Sequence, residues 1–235
     1  MDCLLGISVA EEVTKQLHCI WLGGPKTKLA EKCRASWERF APEWEIREWN
    51  EIPAEAPSYV RKALQERKWA FASDWLRFWI LEREGGVYFD FDVELVKPLA
   101  ATLAELGIEN CEWCATEWLK DGAQGFAPGA GLALERHSEF ARRMLAVYKD
   151  EKFDGNTTVG DLMALNDVRP QAVPPEVFCP FDHCHRSLRT DRTAGIHHYA
   201  LSWITPQRRL ARWLNWHGLG WLTELLLKMC GREKG

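Results

Sequence analysis

The sequence predicts an α/β fold built on one core, and three observations carry that prediction. Residues 17–22 (Leu-His-Cys-Ile-Trp-Leu) are a short apolar run stopped by Gly23-Gly24-Pro25, the pattern of a buried strand. Apolar residues recur at helical spacing from Leu29 to Phe40, Pro42 ends that segment, and Trp44 to Trp49 alternates like a strand with one wet face. The chain has 235 residues, within the range of one large α/β domain and short for two. Strand, helix, strand is a β-α-β opening, and a first strand ending in glycines, here Gly23, is where many α/β folds place ligand.

The next elements follow the same logic. From Ser58 to Glu84 the pattern is helical twice over, first through Tyr59, Val60, Ala63 and Leu64, then through Trp69, Ala70, Trp75, Leu76, Trp79 and Ile80. Trp69, Trp75 and Trp79 read as core positions. Gly85-Gly86 stops the second helix. Val87 to Val96 begins as a bulky apolar strand that carries Asp90 and Asp92, which period-two geometry points to one side. At the far end, Thr205-Pro206 reads as an N-cap with proline in the first turn, opening a helix through His217, and a second apolar stretch covers Trp221 to Met229. This divides the chain into a domain over 1–204 and an amphipathic helical extension over 205–235.

Composition bounds the function. With 46% apolar and 27% charged residues the chain is neither disordered nor fibrous, and a formal charge of −4 supplies no field for nucleic acid. Met1 to Leu17 lacks a basic segment followed by a long apolar one, so it does not read as a signal peptide, and no apolar run approaches the roughly 20 residues of a membrane span. The expected location is cytoplasmic, with the eight cysteines mostly reduced. From Pro206 onward Arg208, Arg209, Arg212, Lys228, Arg232 and Lys234 outnumber Glu224 and Glu233, so this Trp-rich tail either packs on the domain or contacts the inner face of an anionic membrane.

Two carboxylates at one strand end repel each other, and a divalent cation compensates best. Mg²⁺ or Mn²⁺ accepts one or two carboxylates plus phosphate oxygens. The alternative is that Asp90 and Asp92 are solvated or paired with arginine. Asp74 and Arg77, spaced i, i+3, share a helical face and form either an ordinary ion pair or a clamp for phosphate and sugar hydroxyls. Cys111 and Cys114, with Cys179 and Cys184, are a second metal candidate, for structural zinc, set against plain thiols. Asp154 to Gly160 is either an acceptor loop or a turn. Thirteen tryptophans are an excess that bears on ligands only where a member falls beside polar residues.

Four blocks in order, His18-Cys-Ile-Trp21-Leu-Gly-Gly24, Ser73-Asp-x-x-Arg77, Gly85-Gly-Val-Tyr-Phe-Asp-Phe-Asp92 and His197-His-Tyr-Ala-Leu-Ser-Trp203, resemble the motif set of glycosyltransferase family 32. The resemblance implies a GT-A fold, Rossmann-like with a mixed central sheet, a nucleotide-sugar donor, a divalent cation and retention of anomeric configuration. It implies a metal set of Asp92 as the direct ligand, Asp90 through water or on the donor ribose, and His197, with His198 as the rival. It implies donor contacts from Trp21, stacked on the base, and from Gly23, Asp74, Arg77, Tyr88, Asp90, Ser202 and Trp203. A UDP-hexose donor and a glycan or lipid-linked glycan acceptor are the expected partners; a toxin-like effector acting on protein and a non-catalytic binding module are the alternatives. The family's asparagine after the central strand is missing, since Gly129-Ala130-Gly131 stands near that place.

Overall fold

The computed structural model describes residues 13–149, 158–182 and 186–200, with Leu214 and Leu219 as single positions. The expectations for the tail, for Ser202 and Trp203, for Cys184 and for residues 154–157 lie outside the described residues. The boundary at 204 lies there too.

The chain opens β1 (Gln16–Ile20), α1 (Lys28–Phe40), β2 (Glu45–Trp49), α2 (Ser58–Gln65), α3 (Trp69–Glu84), β3 (Gly86–Tyr88), β4 (Val93–Leu95) and α4 (Leu99–Leu106). It continues β5 (Trp113–Trp118), β6 (Gln124–Phe126), β7 (Leu132–Leu134), α5 (Glu139–Lys149), α6 (Val159–Ala164), β8 (Gln171–Val173), α7 (Pro175–Phe178) and β9 (Gly195–His197). The central sheet runs β2-β1-β3-β7-β5-β6 with β8 added to β5. It is mixed: β1 is parallel to β2 and β3, β7 is antiparallel to β3 and β5, and β8 is parallel to β5.

Period-two side chains separate two apolar layers. Leu17, Cys19, Val87 and Phe89 face Trp37 of α1, Trp113 and Phe178, while Ile20, Tyr88, Leu132 and Leu134 face α3 and α5. Trp37 anchors the first layer, fully buried with its indole N–H donating to the Val93 carbonyl at 2.7 Å. Helix α3 lies against both the sheet and α5, so it buries Ala72, Trp75, Leu76, Phe78, Ile80 and Leu81, an apolar surface wider than one stripe. The diglycine that ends it is required by geometry. Gly85 and Gly86 have φ of +66° and +99°, and a Cβ on Gly86 would lie 2.5 Å from the Gln16 carbonyl oxygen.

Two expectations change. The first strand stops at Ile20, and Trp21 and Leu22 leave it, though the Trp21 N–H still reaches the Trp49 carbonyl at 2.8 Å. The apolar run through the two aspartates is not one strand: β3 ends at Tyr88, the Val93 N–H closes a turn on the Asp90 carbonyl at 3.0 Å, and β4 departs to pair with β9 in a separate two-stranded ribbon. Phe89 and Phe91 supply the apolar pattern of a strand because both pack into the first layer.

Candidate active site

The turn between β3 and β4 brings the two aspartates together, and the ribbon brings the histidine. Asp90 is tied to the main sheet by its own N–H, which donates to the Gly129 carbonyl at 2.8 Å. In the ribbon Val93 is the register partner of His197, so the imidazole lands beside Asp92. Its Nε2 is 3.3 Å from Asp92 Oδ1, the His198 N–H donates to the Asp92 carbonyl at 2.8 Å, and the Ala200 N–H donates to Asp92 Oδ2 at 2.7 Å. Asp90, Asp92 and His197 each present a ligand atom, all within 4.8 Å of one another. His198 is drawn elsewhere, with Nε2 2.9 Å from Glu94, which also takes Lys32 at 2.8 Å.

The electrostatics of this trio fit a cation. Burial disfavours charge on both Asp92 and His197, yet each stabilises the other: the aspartate is held down to about 2 and the histidine is pushed above its usual range by Asp92, with help from the Cys179 thiol. Positive charge is thus favoured beside this buried carboxylate. Two carboxylates and an imidazole are a donor set for a divalent first-row cation, and metal binding would release the histidine proton.

Behind Asp90 sits a buried arginine. Arg77, on α3, is 4% exposed and reaches Asp74 Oδ1 at 2.7 Å and Asp90 Oδ1 at 3.7 Å. The ordinary i, i+3 pair is therefore made, and the same guanidinium extends to the metal candidate. It lies 4.9 Å from the centre of the Tyr88 ring, whose hydroxyl donates to Asp90 Oδ1 at 2.5 Å. Burial works against the arginine's charge, but Asp90, Tyr88 and Asp74 together push its proton affinity up. Burial pushes the Asp74 carboxyl up to about 6, against the pull of Arg77. Arg77 thus positions Asp90 while Asp74 is left partly exposed.

Tyr88, Asp90, Asp92 and His197 line a cleft of about 380 Å³, with Asp74 and Arg77 outside its lining. Trp21 and Gly24 from the loop after β1, Thr27 and Ala30 at the start of α1, and Trp69, Ala70 and Ser73 from the first turns of α3 form its walls. Trp21 is fixed by its indole N–H, which donates to the Gly24 carbonyl at 2.7 Å, and by an edge contact with Phe91. Trp69 corrects the core reading. It is 37% exposed, lines the cleft and lies against Gly23, where a Cβ would come 3.1 Å from its Nε1. Trp75 is core, 2% exposed, and Trp79 is half-buried against Trp49 and Trp75. Helical spacing alone does not separate these three. The usable signal was that Trp69 opens its helix one turn before Ser73-Asp74.

Gly129 stands near the place where the resemblance leads one to expect an asparagine. A Cβ at this position would lie 2.2 Å from Asp90 Oδ2, so the carboxylate fills the space a side chain would need. His18, the first residue of the motif set, is structural: it is fully buried, its Nε2 meets the Gly85 carbonyl at 2.9 Å and its Nδ1 accepts from the Trp49 indole at 3.1 Å. Thr158, Val159 and Gly160 of the acceptor-loop candidate belong to the N-terminus of α6. Cys111 is exposed and Cys114 buried, and among the described residues neither joins a three-ligand group.

The stretch that carries the two aspartates of this cleft is similar to known proteins. Residues 27–113 match the family model described as "Glycosyltransferase sugar-binding region containing DXD motif". That match runs from the α1 cap to the first residue of β5, a little over a third of the chain, and contains Asp74, Arg77, Tyr88, Asp90 and Asp92. Residues 27–113 are thus similar to a D-x-D sugar-binding region of glycosyltransferases. Among solved structures, "PaToxG Glycosyltransferase" is 19% identical with a TM-score of 0.48, over 63% of this chain and 65% of that one. A glycosyltransferase involved in the glycosylation of the major capsid of PBCV-1 is 13% identical with a TM-score of 0.48, over 77% of this chain and 92% of that one. No curated protein gives a match. No helix of the described residues is long and apolar enough to cross a membrane.

Proposed function

We propose that this chain is a GT-A, metal-dependent, retaining hexosyltransferase that takes a hexose from a UDP-sugar, with Mn²⁺ at Asp90, Asp92 and His197, and passes it to a glycan acceptor in polysaccharide or lipopolysaccharide assembly. The observation that carries the reading is the convergence of those three ligand atoms within 4.8 Å in a tryptophan-walled cleft. When bound, the cation neutralises diphosphate oxygens as charge grows on the leaving group. Imidazole in the donor set favours Mn²⁺ over Mg²⁺.

Each remaining task falls to a named residue. Arg77 and the Tyr88 hydroxyl hold Asp90 in place. Trp21 and Trp69 offer ring faces to the nucleoside, and an aromatic face stacks on any base. Asp74, partly exposed beside Arg77, accepts hydrogen bonds from hexose hydroxyls. In the retaining step the acceptor oxygen bonds to the anomeric carbon on the face from which the phosphate departs, the carbon–phosphate oxygen bond breaks, and the departing phosphate takes the acceptor proton. No side chain is assigned as general base. If Ser202 and Trp203 donate to the β-phosphate, they do so from the segment after Ala200, whose N–H is on Asp92.

The test is incubation with UDP-glucose, UDP-galactose and UDP-N-acetylglucosamine in Mn²⁺, following UDP release by slow hydrolysis. Release from one donor, abolished by chelator, is expected. No release from any donor, with nucleotide still binding, would convert the reading to a non-catalytic module. Transfer to a protein rather than a glycan, seen by intact mass, would make it a protein-modifying effector.

A further inference from the structure

The three candidate ligands are drawn from two sheets. Asp90 is fixed to the seven-stranded sheet through Gly129, whereas Asp92 and His197 are fixed to each other by the separate β4–β9 ribbon. Their spacing therefore depends on what ties ribbon to sheet on the histidine side. Tyr199 does this. Its ring lies on the His197 imidazole, centroids 4.1 Å apart and planes 34° apart, and its hydroxyl donates to Glu117 on β5 at 2.7 Å. Its backbone has φ of +49°, a left-handed conformation that a bulky residue rarely adopts, and the next N–H, of Ala200, donates to Asp92 Oδ2. One residue thus touches the histidine, anchors to the main sheet and turns the chain back onto the aspartate.

We propose that Tyr199, anchored by Glu117, is a positioning residue of the cation site, setting the plane of the His197 imidazole and its distance from Asp90. The inference rests on the reading of Asp90, Asp92 and His197 as a cation site. Groups that orient a ligating histidine typically contribute 10- to 100-fold in metal affinity.

The test titrates the full chain with Mn²⁺ alone and measures free Mn²⁺ by electron paramagnetic resonance. Tyr199→Phe keeps the ring but loses the anchor, and Glu117→Ala loses the anchor from the other side; both should bind Mn²⁺ about tenfold more weakly, at the low end of that range. Glu117→Gln should bind like the parent chain, because its amide oxygen accepts the same hydrogen bond. Tyr199→Gly separates positioning from backbone conformation: glycine tolerates the left-handed turn, so a purely conformational role predicts parental affinity and the positioning role predicts loss. Parental binding together with unchanged affinity in Tyr199→Phe and Glu117→Ala overturns this inference alone, as does Glu117→Gln falling as far as Glu117→Ala. No Mn²⁺ binding by the parent chain overturns the cation site and this inference together.

Discussion

His197 Nε2 lies 3.3 Å from Asp92 Oδ1, although the two residues are far apart in the sequence. The β4–β9 register makes the contact, since Val93 opposite His197 leaves the preceding aspartate facing the imidazole. The neighbouring His198 points to Glu94 instead. His197→Ala should therefore abolish or strongly weaken Mn²⁺ binding in calorimetry, and His198→Ala should change it little. The reverse result would place the third ligand at His198.

Gly129 bounds the site on the sheet side. Gly129→Ala puts a Cβ 2.2 Å from Asp90 Oδ2, so the carboxylate must shift from the position it holds beside Tyr88 and Arg77. Mn²⁺-dependent turnover should fall at least tenfold while the melting temperature changes by only a few degrees. Parental turnover in Gly129→Ala would show that Asp90 does not act from this position.

Trp69 lines the cleft, and Gly23 lies against its ring. Trp69→Ala should raise the donor KM more than it lowers kcat, the pattern expected when binding rather than chemistry is lost. Gly23→Ala should do the same through a strained φ of +103° and contact with the Trp69 ring. An unchanged donor KM in both variants would remove Trp69 from the donor cleft.

Asp74, proposed to bind the hexose, is held charged at a cost to stability. Its folded pKa of about 6 lies above the ordinary 3.8, so the charged form is disfavoured in the fold. That penalty, roughly 3 kcal/mol, is fully present above pH 6 and is relieved as pH falls toward 3.8. Asp74→Asn should lower kcat/KM by about a hundredfold yet melt no lower than the parent chain at pH 7.5. Parental kcat/KM would assign Asp74 to the ion pair alone.

His18 responds oppositely. Burial holds its pKa down to about 4 from 6.5, so the fold requires the neutral ring that donates to Gly85 and accepts from Trp49. Its contribution, on the order of 3 kcal/mol, is complete above pH 6.5 and is lost between 6.5 and 4. Ring ¹⁵N shifts should show His18 neutral at pH 5.5. A titration midpoint near 6.5 would contradict this.

The sequence shows the β-α-β opening, both α2 and α3, and the diglycine because each rests on local periodicity or on a backbone angle only glycine adopts easily. It shows the aspartates as a pair but misplaces them on a strand, because Phe89 and Phe91 alternate as a strand would while the hydrogen bond from Val93 to Asp90 makes a turn. Trp69 was hidden for a related reason: helical spacing marks a face, and only the packing of α3 on Gly23 shows that its first turn faces a cleft. The reach of Arg77 to Asp90 and the tie from Tyr199 to Glu117 depend on distant segments, and no local pattern encodes them. The histidine position is legible only through the motif set.

The most direct test of the central claim, that Asp90, Asp92 and His197 form a cation site, is anomalous diffraction from a crystal grown with Mn²⁺ and UDP. The account predicts one strong manganese peak in contact with an Asp92 carboxylate oxygen and the His197 imidazole, with diphosphate density completing its shell. A peak elsewhere, or none with UDP in the cleft, would contradict it.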